Sequence, residues 1–262
     1  MTQPMIHPSA VIEDGAQIDP TAQIGPFCVV GPQVVIGPDV VLKSHVVVTG
    51  DTEVGEGTVI FSFAVIGEVP QDLKFRGEAS RLVIGKRNRI REHVTMNCGT
   101  EGGGGVTRIG DDGLLMAGCH IAHDALLGDR VIVVNSAAVA GHCIIEDDVI
   151  VGGLSGIHQF VRIGRGAIIG AVTMVTNDVI PYGLVQAPRG ELDGLNLVGL
   201  KRRGVSRADI TALRAAFQML AQGDGTFHDR AERLGRESES AYVSEIVDFV
   251  MGDSDRSFLT PR

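Results

Sequence analysis

The chain has 262 residues, enough for one large domain or for a large domain with a small one. Aromatic residues make up only 4% of it and Trp is absent, a composition typical of thin, repetitive cores filled by Val, Ile and Ala. A net charge of −9 argues against a nucleic-acid-binding protein, and no stretch reaches the roughly 20 apolar residues of a membrane span. The first residues do not resemble a secretory signal, so we expect a cytoplasmic protein.

A six-residue period dominates the first quarter of the chain. A helix would repeat every 3.6 residues and a simple strand every two, so a period of six fits neither alone. It is typical of a parallel β-helix of hexapeptides, in which three hexads make one triangular coil and advance the chain by roughly 4.8 Å. The aliphatic residues that mark the period are Ile6, Ile12, Ile18, Ile24, Val30, Ile36, Leu42, Val48, Val54, Ile60 and Ile66.

Two interruptions of the period predict loops. The first spans residues 68–82, after which the repeat returns in the same register at Ile84. The second spans residues 99–108, after which the repeat resumes one residue out of phase at Ile109 and runs to Val175. Failures of a solenoid pattern mark loops that project from one face, often the binding face.

The cysteines are predicted to be buried small residues. Cys28, Cys119 and Cys143 each stand four positions after the aliphatic residue that opens a hexad, a place filled elsewhere by Ala, Val, Ser or Thr. No pair, Cys98 included, forms a C-x-x-C motif. Free thiols in a reducing cytosol are therefore expected, and a metal site is the alternative.

The pattern turns helical after the period ends near Pro181. Ser206, followed three residues later by Asp209, is a capping signature in front of apolar residues at helical spacing. Gly223 ends this predicted helix. A second helix is predicted at about residues 239–251.

The predicted architecture therefore has two parts. Residues 1–189 form an all-β parallel coil of hexapeptide repeats with loops at 68–82 and 99–108. Residues 190–262 form a small α-helical domain that caps the open end of the coil and blocks edge-to-edge growth. Within this domain, residues 252–262 are expected to be loose.

Stacking on the coil gathers polar residues from distant parts of the chain. Residues three hexads apart lie on the same face of adjacent coils, which puts Gly141 over His123. The same step puts His142 over Asp124. The patch predicted in this way contains His123, Asp124, Gly141, His142, His158 and Gln159.

This patch offers the parts of an acid–base site. His123 can serve as a general base near neutral pH, and Asp124 could orient its imidazole or remain a plain turn residue. The N–H of Gly141 is a candidate oxyanion donor. Because no Ser or Cys stands beside His123, direct attack by a substrate hydroxyl is more natural than a covalent enzyme intermediate. Clustered histidines also suit zinc, as in a γ-carbonic-anhydrase-type enzyme, or can be solvated surface residues.

Several short segments together resemble one family of transferases. The family is the acyl-(acyl-carrier-protein)–UDP-N-acetylglucosamine O-acyltransferases, which catalyse the first step of lipid A biosynthesis. The resemblance covers Ile6 to about Leu220 and is most specific from Gly67 to Gly204. The segments that carry it are Ile24-Gly25-Pro26-Phe27, Ile66-Gly67-Glu68, Gln71-Asp72-Leu73-Lys74, Arg87-Asn88-Arg89-Ile90-Arg91-Glu92, His120-Ile121-Ala122-His123-Asp124, Ala140-Gly141-His142, His158-Gln159-Phe160 and Gly199-Leu200-Lys201-Arg202-Arg203-Gly204.

The resemblance implies a homotrimeric left-handed parallel β-helix with a C-terminal helical domain. That hand is an exception to the usual crossover rule. The resemblance also implies transfer of an (R)-3-hydroxyacyl group from acyl carrier protein to the 3-hydroxyl of UDP-N-acetylglucosamine, with no cofactor and no metal.

Roles for individual residues follow from the same resemblance. His123 matches the family's catalytic base, Asp124 the residue that holds it, and Gly141 the donor to the thioester oxygen. Ala171 matches a position whose bulk limits the length of the acyl tail, and its spacing of two coils plus two hexads from His123 puts it on a different face. Substrate contacts are matched by Asp72, Lys74, His142, His158, Gln159, Asn196, Arg202 and Arg203.

One departure from the family leaves the acceptor open. Asn97-Cys98 stands where many members carry His-Arg, near the acceptor sugar, so a sugar nucleotide with a 3-amino group is the alternative acceptor. Two other readings are an N-acyltransferase of the same pathway, for which an extra N-terminal domain is expected before Ile6, and a non-catalytic scaffold. The basic run of residues 86–91 is either a solvated face or a docking surface for acidic carrier protein.

Overall fold

The structure, a computed structural model, describes residues 5–186, 190–254 and 256–261. Three sheets of short parallel strands, here called face 1, face 2 and face 3, form the walls of a three-sided left-handed coil, and four α-helices follow it. The predicted β-helix of hexapeptide repeats with C-terminal helices is therefore confirmed.

The three faces take successive strands of the chain in turn. Face 1 contains Met5–Ile6, Gln23–Ile24, Val41–Leu42, Val59–Ile60, Arg89–Ile90, Leu114–Leu115, Ile132–Val133, Ile150–Val151, Ile168–Ile169, Gly183–Gln186 and the antiparallel Glu191–Leu195. Face 2 contains Val11–Ile12, Val29–Val30, Val47–Val48, Val65–Glu68, Thr95–Asn97, His120–Ile121, Ala138–Val139, Gly156–Ile157 and Met174–Val175. Face 3 contains Gln17–Ile18, Val35–Ile36, Asp51–Val54, Arg81–Ile84, Val106–Ile109, Leu126–Leu127, Ile144–Ile145 and Arg162–Ile163.

Strand register explains both interruptions of the repeat. Ile121 pairs with Val139, so one uninterrupted coil takes three hexads. Ile60 pairs with Ile90, a step of five hexads, so the first loop adds two whole hexads and preserves the phase. Ile90 pairs with Leu115, a step of four hexads and one further residue. The second loop therefore adds one hexad and a single extra residue, and that extra residue shifts the phase.

The interior of the coil is filled by the aliphatic residue of each hexad together with the small residue four positions later. Cys28, Cys119 and Cys143 are all fully buried at this second place, and the four cysteines are free. Burial raises the pKa of Cys119 and of Cys143 to about 12. These thiols are therefore structural, as predicted, because a reactive cysteine needs a low pKa and access.

Tight turns join the faces, and in most of them one residue adopts a left-handed backbone. We call the turns by the faces they connect: the 1–2, 2–3 and 3–1 corners. Asp124 (φ 59°) and His142 (φ 61°) occupy the 2–3 corner, whereas Asp112 (φ 58°) and Asp148 (φ 61°) occupy the 3–1 corner. A positive φ is uncommon for non-glycine residues. Here it recurs with the coil and does not by itself mark a functional site.

The α-helices are α1 (Leu197–Arg202), α2 (Arg207–Ala221), α3 (Phe227–Glu237) and α4 (Ala241–Met251), and a 3-10 turn covers Glu101–Gly103. The capping prediction is confirmed, because the Ser206 side chain accepts a hydrogen bond from the backbone N–H of Asp209. The second predicted helix corresponds to α4, whereas α1 and α3 were not predicted. In the described part of the chain, no helix is both long and apolar enough to cross a membrane.

Helix α4 docks on the last turn of the coil. The buried ring of Tyr182 packs edge-on against Tyr242, with ring centroids 5.7 Å apart. The Tyr182 hydroxyl donates a hydrogen bond to the Glu245 carboxylate. Both partners belong to α4, so this contact ties the helices to the coil.

The expectation that residues 252–262 are loose is wrong for the part that the structure describes. Phe258 forms a parallel bridge with Asp178 of the coil, and Pro261 forms one with Leu192. Phe258 also packs 5.5 Å from the ring of Phe227 in α3. The segment lacks any period, so only its tertiary contacts, which a local pattern does not encode, hold it in place.

Candidate active site

His123 and Asp124 form a hydrogen-bonded pair at the 2–3 corner. Nδ1 of His123 lies 2.8 Å from Oδ2 of Asp124. The two side chains are 12% and 1% exposed, so the carboxylate is buried while one edge of the imidazole reaches solvent. Because an ionised carboxylate can only accept, Nδ1 carries the shared proton, and in the neutral imidazole the lone pair is then on Nε2.

The second loop completes the surroundings of Asp124. Thr100 donates to this carboxylate twice, from its backbone N–H (2.8 Å) and from its hydroxyl (2.6 Å). The backbone N–H of Asp124 in turn donates to the Thr107 hydroxyl at 2.8 Å. A buried charge is tolerated when hydrogen bonds satisfy it. Asp124 is therefore an orienting residue rather than a plain turn residue.

Gly141 lies directly over the His123 ring, as the stacking of adjacent coils predicts. A methyl group at Gly141 would lie 2.7 Å from Cε1 and 2.8 Å from Nε2 of His123, closer than side chains approach. Within the described residues, the Gly141 N–H has no backbone acceptor, whereas its carbonyl accepts from the Phe160 N–H at 3.1 Å. The Gly141 backbone, with this free amide, thus packs against the Nε2 edge of the His123 ring.

His142 lies between His123 and the aromatic ring of Phe160. Its ring meets His123 edge-on, with centroids 5.0 Å apart, and stacks flat on Phe160 at 4.5 Å. Burial lowers the pKa of His142, although the charge of Asp124 opposes that shift. His142 is therefore neutral near pH 7 and presents a hydrogen-bonding group rather than a charge.

The first loop faces this corner across an open cleft. The cleft has a volume of about 620 Å³, and Asp72, Lys74 and His142 are among its lining residues. The Lys74 backbone N–H lowers the pKa of Asp72, and the charge of the Lys74 side chain acts in the same direction. Two predicted loop residues therefore share one cleft with His142.

The next coil adds His158 and Gln159. Nδ1 of His158 lies 3.2 Å from the Gln159 carbonyl oxygen and also 3.2 Å from a guanidinium nitrogen of Arg256. The same Arg256 nitrogen donates to the Gln159 carbonyl at 3.1 Å. The C-terminal segment thus reaches the predicted patch.

Three predicted residues belong to the 3–1 side of the same chain. Asn196 caps α1 by accepting from the Gly199 N–H at 2.9 Å and donates to the Gly166 carbonyl at 3.0 Å. Arg203 lies over Gly166, where a methyl group would come within 2.5 Å of its Nη2. Arg202 is an exposed residue that ends α1. Within one chain, these residues do not meet His123.

Ala171 lies at the 1–2 corner, between the strands Ile168–Ile169 and Met174–Val175. It therefore occupies a different corner from His123, in agreement with the count of two coils plus two hexads between them. A groove that contains both residues needs a second copy of the chain.

Asn97 is buried beside the start of the first loop. Its Nδ2 donates to the carbonyl oxygens of Glu68 (3.3 Å) and Val69 (2.9 Å). Its Oδ1 is buried without a partner in the described structure. The neighbouring Cys98 thiol has its pKa raised by burial to about 11 and contacts the Gly67 carbonyl. This departure from the family therefore braces the loop that carries Asp72.

The donor set at the corner is compatible with a cation. One ligand atom each from His123, Asp124 and His142 lie within 4.8 Å of one another. Oδ2 of Asp124 already accepts from Thr100 and faces His123. A metal there would compete with the hydrogen bonds that orient the base.

Sequence reasoning missed several residues of the site. Phe160 stands one coil after His142, so the stacking rule could have found it. Thr100 lies inside a break of the repeat, and Arg256 lies in an aperiodic tail, so no periodic signal places either of them.

The chain matches known protein families, curated relatives and solved structures. A family model described as Udp N-acetylglucosamine O-acyltransferase, domain 2, matches residues 178–259, and one for bacterial transferase hexapeptides matches residues 9–44. An O-acyltransferase of that name from Paracoccus denitrificans is 71% identical over 78% of this chain and 77% of its own. One from Agrobacterium fabrum is 44% identical over 98% of this chain and 96% of its own. The solved structure of LpxA from Acinetobacter baumannii superposes with a TM-score of 0.95 at 40% identity, covering 97% and 99% of the two chains.

The coil and the His123 corner define a hexapeptide-repeat acyltransferase. Within that class, the chain belongs to the acyl-(acyl-carrier-protein)–UDP-N-acetylglucosamine O-acyltransferase family.

Proposed function

We propose that this enzyme transfers an (R)-3-hydroxyacyl group from acyl carrier protein to the 3-position of UDP-N-acetylglucosamine, the first step of lipid A biosynthesis, in the cytoplasm. The observation that carries the proposal is the free Nε2 of His123 beside the free N–H of Gly141, with the acid partner of His123 fully buried.

The proton path starts at the sugar. Nε2 of His123 removes the proton of the acceptor hydroxyl as its oxygen attacks the thioester carbonyl carbon. Asp124 stabilises the imidazolium that forms and keeps it aligned through the 2.8 Å contact with Nδ1. When the tetrahedral intermediate collapses, the C–S bond breaks and the imidazolium returns the proton to the departing thiolate.

The oxyanion of that intermediate needs a donor placed in advance. The Gly141 N–H serves as this donor, because a preorganised amide is worth most where charge develops. Glycine is required at this position since the ring of His123 occupies the space that a side chain would take.

A homotrimer supplies the second wall of the site. Face 1 carries a stripe of outward, only partly buried aliphatic side chains, and the outward side of face 3 mixes the charged Glu53 and Arg108 with the exposed Leu126 and Ile144. Covering the stripe with a second copy would bury apolar surface. It would also let Ala171 and Arg203 of one chain approach His123 of another. The residues of the stripe are Val41, Val59, Leu114, Ile132, Ile150 and Ile168.

Remaining substrate contacts follow from the cleft and the end of the coil. Asp72, Lys74 and His142 would bind the sugar, with His158 and Gln159 beyond them. Arg202 and Arg203 of a neighbouring chain would bind the diphosphate, for which guanidinium groups are suited, while Asn196 positions α1. Ala171 would close the acyl groove slightly earlier than glycine does, which selects a medium chain.

One experiment tests the reaction and the acceptor together. Purified enzyme is given (R)-3-hydroxyacyl carrier protein of defined lengths with UDP-N-acetylglucosamine, or with its 3-amino analogue, and the products are identified by mass spectrometry. We expect an ester on the 3-oxygen. An amide formed only from the amino analogue would assign the other acceptor, and no acyl transfer to either sugar would refute the proposed function. Elemental analysis of the same preparation tests the zinc alternative.

A further inference from the structure

The C-terminal segment is clamped to the coil by a buried carboxylate. Asp178 is fully buried, and its two oxygens accept from Nε and from the backbone N–H of Arg162, both at 2.8 Å. The Ser254 hydroxyl donates to the same carboxylate. The backbone of Asp178 also bonds to Ser257 (3.0 Å) and to Leu259 (2.9 Å).

Aromatic rings close over this clamp. The Arg162 guanidinium lies 4.7 Å from the ring centroid of Phe249 and 5.9 Å from that of Phe258. A buried ion pair of this kind is costly to break, because one partner would be left charged and alone. The segment is thus held firmly at Ser254, Ser257 and Leu259, and Arg256 projects from it.

The Arg256 side chain reaches the patch of stacked residues at His158 and Gln159. Its Nη2 reaches both the Gln159 carbonyl (3.1 Å) and Nδ1 of His158 (3.2 Å). Gln159 continues the column of His123 and Gly141, one coil beyond Gly141. Since His158 is exposed, this contact adds little to stability. Its effect is on how the ring of His158 is presented.

Nδ1 of His158 faces a donor, Arg256, and an acceptor, the Gln159 carbonyl, both at 3.2 Å. Because Arg256 itself donates to that carbonyl at 3.1 Å, the carbonyl does not need the Nδ1 proton, and the contact with Arg256 favours one tautomer. A guanidinium has five donors and no acceptor, so it can meet Nδ1 only when Nδ1 carries a lone pair. The proton is then on Nε2, which makes that nitrogen a donor on an exposed ring. Without Arg256, Nδ1 can hold its 3.2 Å contact with the Gln159 carbonyl only by donating to it. Nε2 would then become an acceptor.

We propose that Arg256 is a positioning residue: it holds His158 as the Nε2–H tautomer, so that the ring donates a hydrogen bond to an acceptor oxygen of the bound substrate. The inference rests on the proposed acyl transfer at this corner. The acceptors it fits are carbonyl and phosphate oxygens, which cannot be bound by an unprotonated Nε2.

The test uses Arg256→Ala, Arg256→Lys, His158→Ala and the double variant in the complete chain. Loss of one charge-assisted hydrogen bond predicts a fall in kcat/KM of about tenfold to a hundredfold for Arg256→Ala. Lysine, which also only donates, should recover part of that loss. Because Arg256 acts through His158, the double variant should be no worse than His158→Ala. Arg236→Ala, an exposed arginine on α3, is the matched control and should be silent.

A second readout does not depend on turnover. Protein labelled with ¹⁵N-histidine, with the His158 signals assigned from a His158→Gln sample, should show the Nε2–H form. In Arg256→Ala it should show the Nδ1–H form. Multiplicative losses in the double variant, wild-type activity in Arg256→Ala or an unchanged tautomer would each overturn the proposal. If the wild-type enzyme forms no acylated sugar, the proposed function fails while the tautomer result still stands.

Discussion

The 3–1 and 2–3 corners of the coil share one backbone conformation, but the first presents charged residues to solvent and the second buries a carboxylate. At the 3–1 corner Arg87, Asp112, Arg130 and Asp148 alternate in charge, and Arg87 and Arg130 contact the next aspartate at 2.7 and 2.8 Å. At the 2–3 corner the equivalent place holds Asp124 and His142. The Arg130 side chain is 48% exposed, whereas that of Asp124 is 1% exposed.

The two corners differ in whether a loop covers them. The charges of the 3–1 corner neutralise one another in solvent, including Arg87 of the basic run that could dock a carrier protein. At the 2–3 corner, Thr100 of the second loop closes over Asp124 and the first loop faces His142. Register alone stacks side chains in columns. A reactive site forms where a loop inserted in the repeat shields one set of stacked residues, here Asp124 and His142, from water.

Breaking the buried pair should give the largest effect. His123→Ala removes the base and is expected to lower kcat by about 10²–10⁴-fold, with the melting temperature and the oligomeric state unchanged. Arg130→Ala, at the exposed corner, is the matched control. Activity of His123→Ala within a few-fold of wild type would show that another group accepts the proton.

Adding a methyl group at Gly141, which stacks on His123, should lower the rate somewhat less. Gly141→Ala retains the amide donor but places a carbon 2.7 Å from the His123 ring, so the ring must move. A misplacement of about 1 Å can cost about a hundredfold in rate. Gly156→Ala is the control, because its methyl group would meet Met174 at an ordinary 3.4 Å. Equal rates for the two variants would contradict the close packing argued here.

Arg203 tests whether the exposed corner takes part in binding. Arg203→Ala should raise the KM for the sugar nucleotide about tenfold, the size of one hydrogen bond to a charged group, and leave kcat nearly unchanged. Such a contact is felt equally in the ground and transition states. Steady-state kinetics with saturating acyl carrier protein measure it. A fall in kcat at constant KM would instead place Arg203 near the reacting atoms.

Removing one residue from the exposed row of charges at the 3–1 corner should give the smallest effect. Arg130→Ala is expected to change the free energy of unfolding by at most about 1 kcal/mol, because solvent screens such pairs. Chemical denaturation by urea, with and without added salt, checks this expectation. A much larger loss, insensitive to salt, would show that the 3–1 corner is more than a solvated face.

Periodicity predicted most of the fold and the centre of the site. The coil, its three-hexad step and the stacking of Gly141 on His123 all follow from counting, because parallel in-register pairing converts sequence distance directly into spatial position. The loops break that relation, so Thr100 could not be placed. Arg256 was missed for a related reason: the tail is held by Asp178 and by aromatic contacts that no local pattern announces. In the structure of one chain, Arg203 and Ala171 both lie away from His123. The count of hexads predicted this separation only for Ala171.

The docking of α4 on Tyr182 gives the molecule an optical reporter. The chain contains no Trp and only two tyrosines, and both lie at this junction. A phenol that donates to a carboxylate, as Tyr182 does to Glu245, emits weakly because its excited state loses the proton to that acceptor. Ultraviolet-excited tyrosine emission therefore comes from the contact between coil and helices. It should brighten when α4 detaches, even while the coil, which contains neither Trp nor any other Tyr, remains folded.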